Sequence, residues 1–382
     1  MADPTPTSAP HFQPDGRPVD EQLADLRVRI DVIDQQLITL LNARAKLAQA
    51  VGEVKKIDGS PVFRPDRELQ VIERIQRHNQ GPVLNESIGP IWREIMSACR
   101  ALEAKQRVAF LGPVGTFTEQ AMFNHFGSSI EPVACASFDE IFRATASGST
   151  DFGVVPIENS TEGVVARTLD LLLQSELTIT GETSLAVQHN LLRKEASREG
   201  IEVVVAHPQA LAQCQGWLSQ NLPHAERRTV ASNAEGARLA AENPAYAALA
   251  SERAASMFGL HVVQKAVQDE AHNRTRFFIV TRADQHKPAG PTGQDCISLA
   301  VSVPNKPGAV HDMLVPLKQH GVSMNRIESR PARSGQWEYV FFIDVVGHPD
   351  TPNVAAALQA LREQVSYIKV LGSYPLDVHG SH

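Results

Sequence analysis

From Asp20 to Lys56 the chain carries no proline, and Leu23, Leu26, Ile30, Ile33, Leu37, Leu40, Leu41, Leu47, Val51 and Val54 recur every three or four residues. That spacing puts them on one face of an α-helix and predicts a single helix of about ten turns. Gly59-Ser60-Pro61 breaks the pattern, and two further helical patterns follow over Pro65–His78 and Ser87–Lys105. The first segment therefore reads as all-α. Arg44 and Lys55 lie about 16 Å apart along nearly the same face of the long helix, so their side chains can converge on one small dianion. Arg27 lies about 25 Å from Arg44 and cannot reach that ligand within its own chain. Either it is a solvated surface residue, or it completes a pocket on a partner whose helix runs antiparallel, which predicts a dimer.

The 382 residues are too many for one ordinary core, so two or three domains are expected. The net charge of -7 comes without any basic run, which argues against nucleic acid. No apolar stretch approaches a membrane span. Residues 1–19 are proline-rich with no apolar signal core and read as a disordered tail. Cys99, Cys135, Cys214 and Cys296 are far apart, and the histidines are scattered. This fits reduced thiols in the cytoplasm, with neither metal nor cofactor expected.

After Lys105 short apolar strands alternate with helices. Gly112-Pro113-Val114-Gly115-Thr116-Phe117-Thr118-Glu119 reads as a strand-turn-helix junction in which Thr116 and Glu119 form a capping box. Free N–H groups there suit a carboxylate, although the glycines alone indicate only a tight turn. Glu158-Asn159-Ser160-Thr161-Glu162-Gly163 follows the strand Phe152–Ile157, where ligand sites of open α/β sheets lie. Val203–Ala206, then His207-Pro208-Gln209, repeats the plan. In Asn273-Arg274-Thr275-Arg276-Phe277-Phe278, alternation sends the Thr275 hydroxyl to one face and both guanidiniums to the other. Strands before about residue 182 and after about 262 flank an inserted block, the topology of two lobes around a ligand. Beyond a linker at 284–294, the remaining pattern is strand-helix-strand-strand-helix-strand, a ferredoxin-like α+β plan.

Three resemblances make this specific. Leu26-Arg27, Asp34, Arg44, Gly52, Lys55, Asp66-Arg67-Glu68 and Cys99–Glu103 resemble the all-helical chorismate mutases, over residues 20–105. The resemblance implies that Arg27 and Arg44, from different chains, grip the carboxylates of chorismate. It also implies that Lys55 bonds the ether oxygen and that Arg67 and Glu68 contact a carboxylate and the ring hydroxyl. Arg64, Cys99 and Glu103 stand at substrate-facing positions where an acid, a serine and a glutamine are usual. Glu103 must be protonated to donate to the ether oxygen. The pericyclic step itself needs only orientation and complementary charge.

Residues 107–283 resemble prephenate dehydratase in four ordered motifs, Gly112–Phe117, Pro156–Ser160, His207–Gln209 and Asn273–Phe277. This implies a two-lobed, periplasmic-binding-protein-like α/β domain with Thr275 as catalytic hydroxyl. Thr116, Glu158, Asn159, Ser160 and Gln213 would line the pocket, and Arg276 would sit near a carboxylate. Ala206 replaces a serine found in some members.

Over residues 295–376, Asn305–Val310 and Ile327–Pro331 resemble the two effector motifs of the ACT domain. Pro307, Gly308, Ala309, Val310, Glu328, Ser329 and Arg330 would then bind L-phenylalanine. The plainer alternative for Glu328 and Arg330 is a surface ion pair.

Together these resemble the bifunctional chorismate mutase/prephenate dehydratases. They imply conversion of chorismate to prephenate and of prephenate to phenylpyruvate, feedback inhibition by L-phenylalanine, and a homodimer or higher homo-oligomer. The alternatives are a dehydratase whose mutase domain has decayed, and a non-catalytic two-lobed sensor.

Overall fold

The computed structural model describes residues 16–58, 61, 63–286, 290–331 and 339–376. Most of the proline-rich tail, the Gly59-Ser60 break and the middle of the linker lie outside the described residues. Helix α1 (Val19–Asp58) runs unbroken, with Asp20 and Glu21 in its first turn and Lys55 and Lys56 in its last, each charge opposing the helix dipole. It packs on α3 (Asn85–Glu103), which also carries α2 (Pro65–His78). The N-terminal half of α1 has no such cover: Leu23, Val28, Ile30, Ile33, Leu37 and Leu40 are all exposed.

The middle segment forms two lobes. In the first lie β1 (Arg107–Leu111), α4 (Phe117–Phe126), β2 (Glu131–Cys135), α5 (Phe138–Ala146), β3 (Phe152–Asn159), the short β4 (Gly163–Val164), α6 (Ala166–Gln174) and β5 (Leu177–Ala186). The second holds β6 (Asn190–Arg193), β7 (Val203–Ala206), α7 (Pro208–Gln213), α8 (Gln215–Asn221), β8 (Glu226–Thr229), α9 (Asn233–Glu242), β9 (Tyr246–Ala250), α10 (Glu252–Phe258) and β10 (His261–Gln264), with strand order β10-β6-β9-β7-β8. The chain then returns to the first lobe as β11 (Arg274–Arg282), antiparallel to both β3 and β5. The crossovers fall after Ala186 and Gln264, later than the sequence spacing places them, because β5 stays paired with β11 to Ala186 and β10 pairs with β6 in the second sheet.

The last segment comprises β12 (Asp295–Ser302), α11 (Ala309–Gln319), β13 (Met324–Pro331), β14 (Tyr339–Val346), α12 (Pro352–Gln364) and β15 (Tyr367–Pro375), in antiparallel order β13-β14-β12-β15. Alternation gives this sheet two apolar faces. Ile297, Leu299, Val301, Ile343 and Val345 pack under α11 and α12. Cys296, Ala300, Phe342 and Tyr374 join Val155, Ile157, Ile179 and Phe278 of the first lobe in one core. The two sheets are also joined edge to edge, where Gly372 of β15 pairs in parallel with Ile179 of β5.

The helical segment docks on the opposite side. The Ser128 hydroxyl donates to Glu94 over 2.6 Å, the Ser129 amide donates to Ser97, and Arg100 reaches both Glu68 and the Phe126 carbonyl. Phe63 stacks among Phe126, Phe152 and His125.

A Cβ at Gly372 would fall on the Ile179 carbonyl, which the sheet cannot move aside. Gly372→Ala is therefore expected to destabilise the protein by about 1–3 kcal/mol through overpacking, seen as a lower urea midpoint.

Candidate functional sites

The helical segment brings its expected site residues together in two pairs. Arg44 Nη1 lies 3.0 Å from Cys99 Sγ, and Lys55 Nζ lies 4.0 Å from Glu103 Oε2. Glu103 is tucked against Gly52, where a Cβ would stand 2.8 Å from its Cγ, so only glycine leaves room for it. Its Oε2 is enclosed without a hydrogen-bond partner. Burial pushes the Glu103 carboxyl above its ordinary range, opposed by Lys55. Glu68 is pulled toward the dehydratase-like segment by the buried Arg100, and burial raises its pKa against the influence of that cation.

The other expected contacts are placed differently. Arg64 pairs with the buried Asp66 at the start of α2 over 2.7 Å, which accounts for the cation at a position where an acid is usual. Arg67 is exposed and donates to Gln70. Arg27 is exposed on the uncovered half of α1.

In the two-lobed segment, β3 and β11 pair with Thr275 opposite Asn159 and Arg276 opposite Glu158, while Ile157 is skipped by a bulge. Thr275 and Asn159 face the second lobe. Asn159 Nδ2 donates to Thr275 Oγ1 and to Asn273 Oδ1, both over 2.8 Å. Its Oδ1 accepts from the Thr161 hydroxyl and from the Thr161 and Glu162 amides. Gln213, from the second lobe, donates to Thr161 and accepts from Asn273 over 3.0 Å. Ser160 ties the loop to β11, donating to the His272 carbonyl and accepting from the Arg274 amide.

Two residues outside the expected set complete this cluster. Asn273 was legible as part of a motif. His189 had no motif to mark it. It sits on the first crossover, edge-on to Phe117 at 5.4 Å, with Nε2 2.9 Å from Gln213 Oε1. Burial lowers its pKa, and Gln213 Oε1 already accepts from Asn273, so the ring is neutral with its proton on Nε2.

Three expected pocket residues are corrected. Arg276 does not face the cleft. It binds Glu182 at 2.6 Å and Asp344 of β14 at 2.7 Å, because alternation turns it to the opposite side from Thr275. Glu158 is turned the same way and meets Arg326 of β13 at 3.1 Å. Thr116 is committed as a helix cap: its hydroxyl accepts from the Glu119 amide and donates to the Leu111 carbonyl. The capping partner differs in detail, since Glu119 accepts from the Gly115 amide and pairs with Arg253 across the lobes.

In the last segment Gly308 adopts φ +80° at the start of α11. Asn305, Lys306, Gly308, Ala309 and Val310 line a groove of about 260 Å³ with Tyr339 and Phe341. The second motif is split by its strand. Ile327 and Ser329 lie on the helix-covered face, whereas Glu328 and Arg330 face the first lobe, where Arg330 pairs with Asp170 at 3.2 Å. The expected Glu328–Arg330 grouping is thus not part of the groove.

Models of chorismate mutase type II, prephenate dehydratase and the ACT domain match residues 26–104, 108–285 and 297–363. A bifunctional chorismate mutase/prephenate dehydratase of Neisseria gonorrhoeae is 47% identical, over 94% of this chain and 99% of the relative. A prephenate dehydratase of Arthrobacter aurescens solved with L-Phe is similar over 70% of this chain and 89% of its own, with 32% identity and a TM-score of 0.63. GqqA, described as a quorum-quenching acylase, matches over 72% and 99% with 29% identity and a TM-score of 0.64. With both catalytic segments and the regulatory segment present, and near full-length identity to a two-activity enzyme, the chain belongs to the bifunctional chorismate mutase/prephenate dehydratases of phenylalanine biosynthesis.

Proposed function

We propose that Thr275 is the hydroxyl that assists departure of the ring hydroxide as prephenate loses carbon dioxide and becomes phenylpyruvate. The supporting observation is the direction of its hydrogen bond. Thr275 Oγ1 accepts from Asn159, which leaves the hydroxyl proton free to point into the cleft. Asn159 cannot swing away, because its Oδ1 is held by Thr161 and Glu162. A threonine is too weak an acid to act alone, so it bonds the leaving oxygen while a proton arrives by relay. Asn273, Gln213 and neutral His189 keep the lobes in register around it.

For the mutase reaction, Arg44, Lys55 and a protonated Glu103 receive chorismate. Arg27 serves the other pocket of a homodimer, formed when the exposed apolar face of α1 packs on a second copy. L-phenylalanine occupies the groove at Asn305–Val310. The four cysteines are free and buried, which suits a reducing, cytoplasmic compartment.

Thr275→Ala should lower kcat from prephenate by about a hundredfold or more, and Thr275→Ser should recover most of it, with chorismate turnover unchanged in both. Wild-type turnover in the alanine variant would remove Thr275 from the reaction.

Because Arg27 serves the partner's pocket, Arg27→Ala and Arg44→Ala chains, each inactive as mutase, should regain activity when co-expressed. Heterodimers that form without activity would disprove the shared pocket.

Glu103 donates only while protonated, and its pKa is raised, so mutase kcat/KM should fall as pH rises through that pKa. Glu103→Gln, which donates at every pH, should flatten the fall, and turnover of prephenate should keep its own profile. Losing one such donor costs about 3 kcal/mol, a loss easily read between pH 5 and 9. Superimposable profiles would leave Lys55 alone on the ether oxygen.

A further inference from the structure

The ACT segment touches the dehydratase centre through a square of alternating charges. Arg326 and Asp344 are register partners on β13 and β14, and Glu158 and Arg276 are register partners on β3 and β11. Across the gap between the sheets, Arg326 meets Glu158 at 3.1 Å and Asp344 meets Arg276 at 2.7 Å. The Asp344–Arg276 side is held by further bonds, while Arg326 meets Glu158 as a charge contact. Asp344 is 1% exposed and accepts from Ser298 over 2.6 Å, while Arg276 also reaches Tyr374 and Glu182. One residue further along the same two strands stand Asn159 and Thr275, projecting from the other face.

We propose that Arg326 and Asp344 are positioning residues for prephenate dehydration, and that an effector inhibits by lifting Arg326 from Glu158. This deepens the reading of Thr275 as the catalytic hydroxyl and rests on it. Each strand fixes the relation between its two faces. A pull on Glu158 or Arg276 from behind therefore tilts Asn159 and Thr275 in front. Arg326 immediately precedes Ile327 and Ser329, which share the helix-covered face of the ACT sheet with Phe341 of the groove. A ligand that draws β13 toward that face moves Arg326 away from Glu158. On this proposal the closed square is the active arrangement, and breaking it imitates inhibition.

The test uses the full chain, with prephenate turnover, chorismate turnover and calorimetric L-phenylalanine binding measured for each variant. Arg326→Ala and Glu158→Gln should each lower prephenate kcat about tenfold with KM within about twofold, and the double variant should be no worse than either, because both remove one interaction. Arg326→Lys should recover much of the loss. L-phenylalanine should still bind Arg326→Ala without further lowering its turnover. Additive losses in the double variant would put Glu158 on the substrate and overturn the proposal, as would normal kcat with full inhibition in Arg326→Ala. Chorismate turnover reports folding; if Arg326→Ala loses that too, Arg326→Lys and Glu158→Gln decide the matter by the same criteria. Thr275→Ala separates the two claims. Turnover surviving there defeats the catalytic reading, whereas a dead Thr275→Ala beside a normal Arg326→Ala defeats only the coupling.

Discussion

The antiparallel pairing of β3 with β11 is the constraint on which the rest of the enzyme depends. A strand has a period of two, so consecutive residues cannot share a face. At the ends of these strands, that rule separates an uncharged front from a charged back. The front holds two amides fixed by named partners and, between them, a hydroxyl that accepts from one of them and keeps its proton for the cleft. The back holds carboxylates and guanidiniums, each met by an opposite charge. Only the bulge at Ile157 makes this possible. It leaves Ile157 in the shared core and turns Glu158 to the same side, which strict alternation forbids.

The helical domain obeys a different constraint. A helix as long as α1 outruns the two helices that could cover it, so part of its apolar face stays open. The covered part rests on α3, and α3 is tied to the dehydratase. Arg100 bonds both Glu68 of the mutase and the Phe126 carbonyl at the end of α4. A side chain expected to touch substrate thus shares its cation with the adjoining domain, and the two active sites rest on one piece of scaffold.

Much of this was legible in the sequence because it was local. The proline-free periodicity of α1, the strand-turn-helix junctions and the opposed directions of Thr275 and Arg276 follow from short-range rules. That Glu103 must be protonated to donate follows from asking what its chemistry requires. What could not be read was long-range. Arg276 and Glu158 carry motif positions in the dehydratase, but their partners Asp344 and Arg326 lie in another domain, and nothing local announces that a domain covers that face. The short polar strands β8 and β10 were missed because their side chains are partly exposed and lack the apolar runs that mark their neighbours. His189 has no motif around it, and only the crossover of the chain brings it to Gln213.

The core shared by the two sheets means that boundaries in sequence are not boundaries in folding. Cutting the chain at the linker looks natural, since it separates two recognisable families. The cut would bare the side of Val155, Ile157, Ile179 and Phe278 that meets Phe342 and Tyr374, would take Arg326 from Glu158, and would leave Arg276 only Glu182 of its two carboxylates. Catalytic and ACT segments are therefore best regarded as a single cooperative unit, in which the ACT sheet is also part of what keeps the catalyst folded.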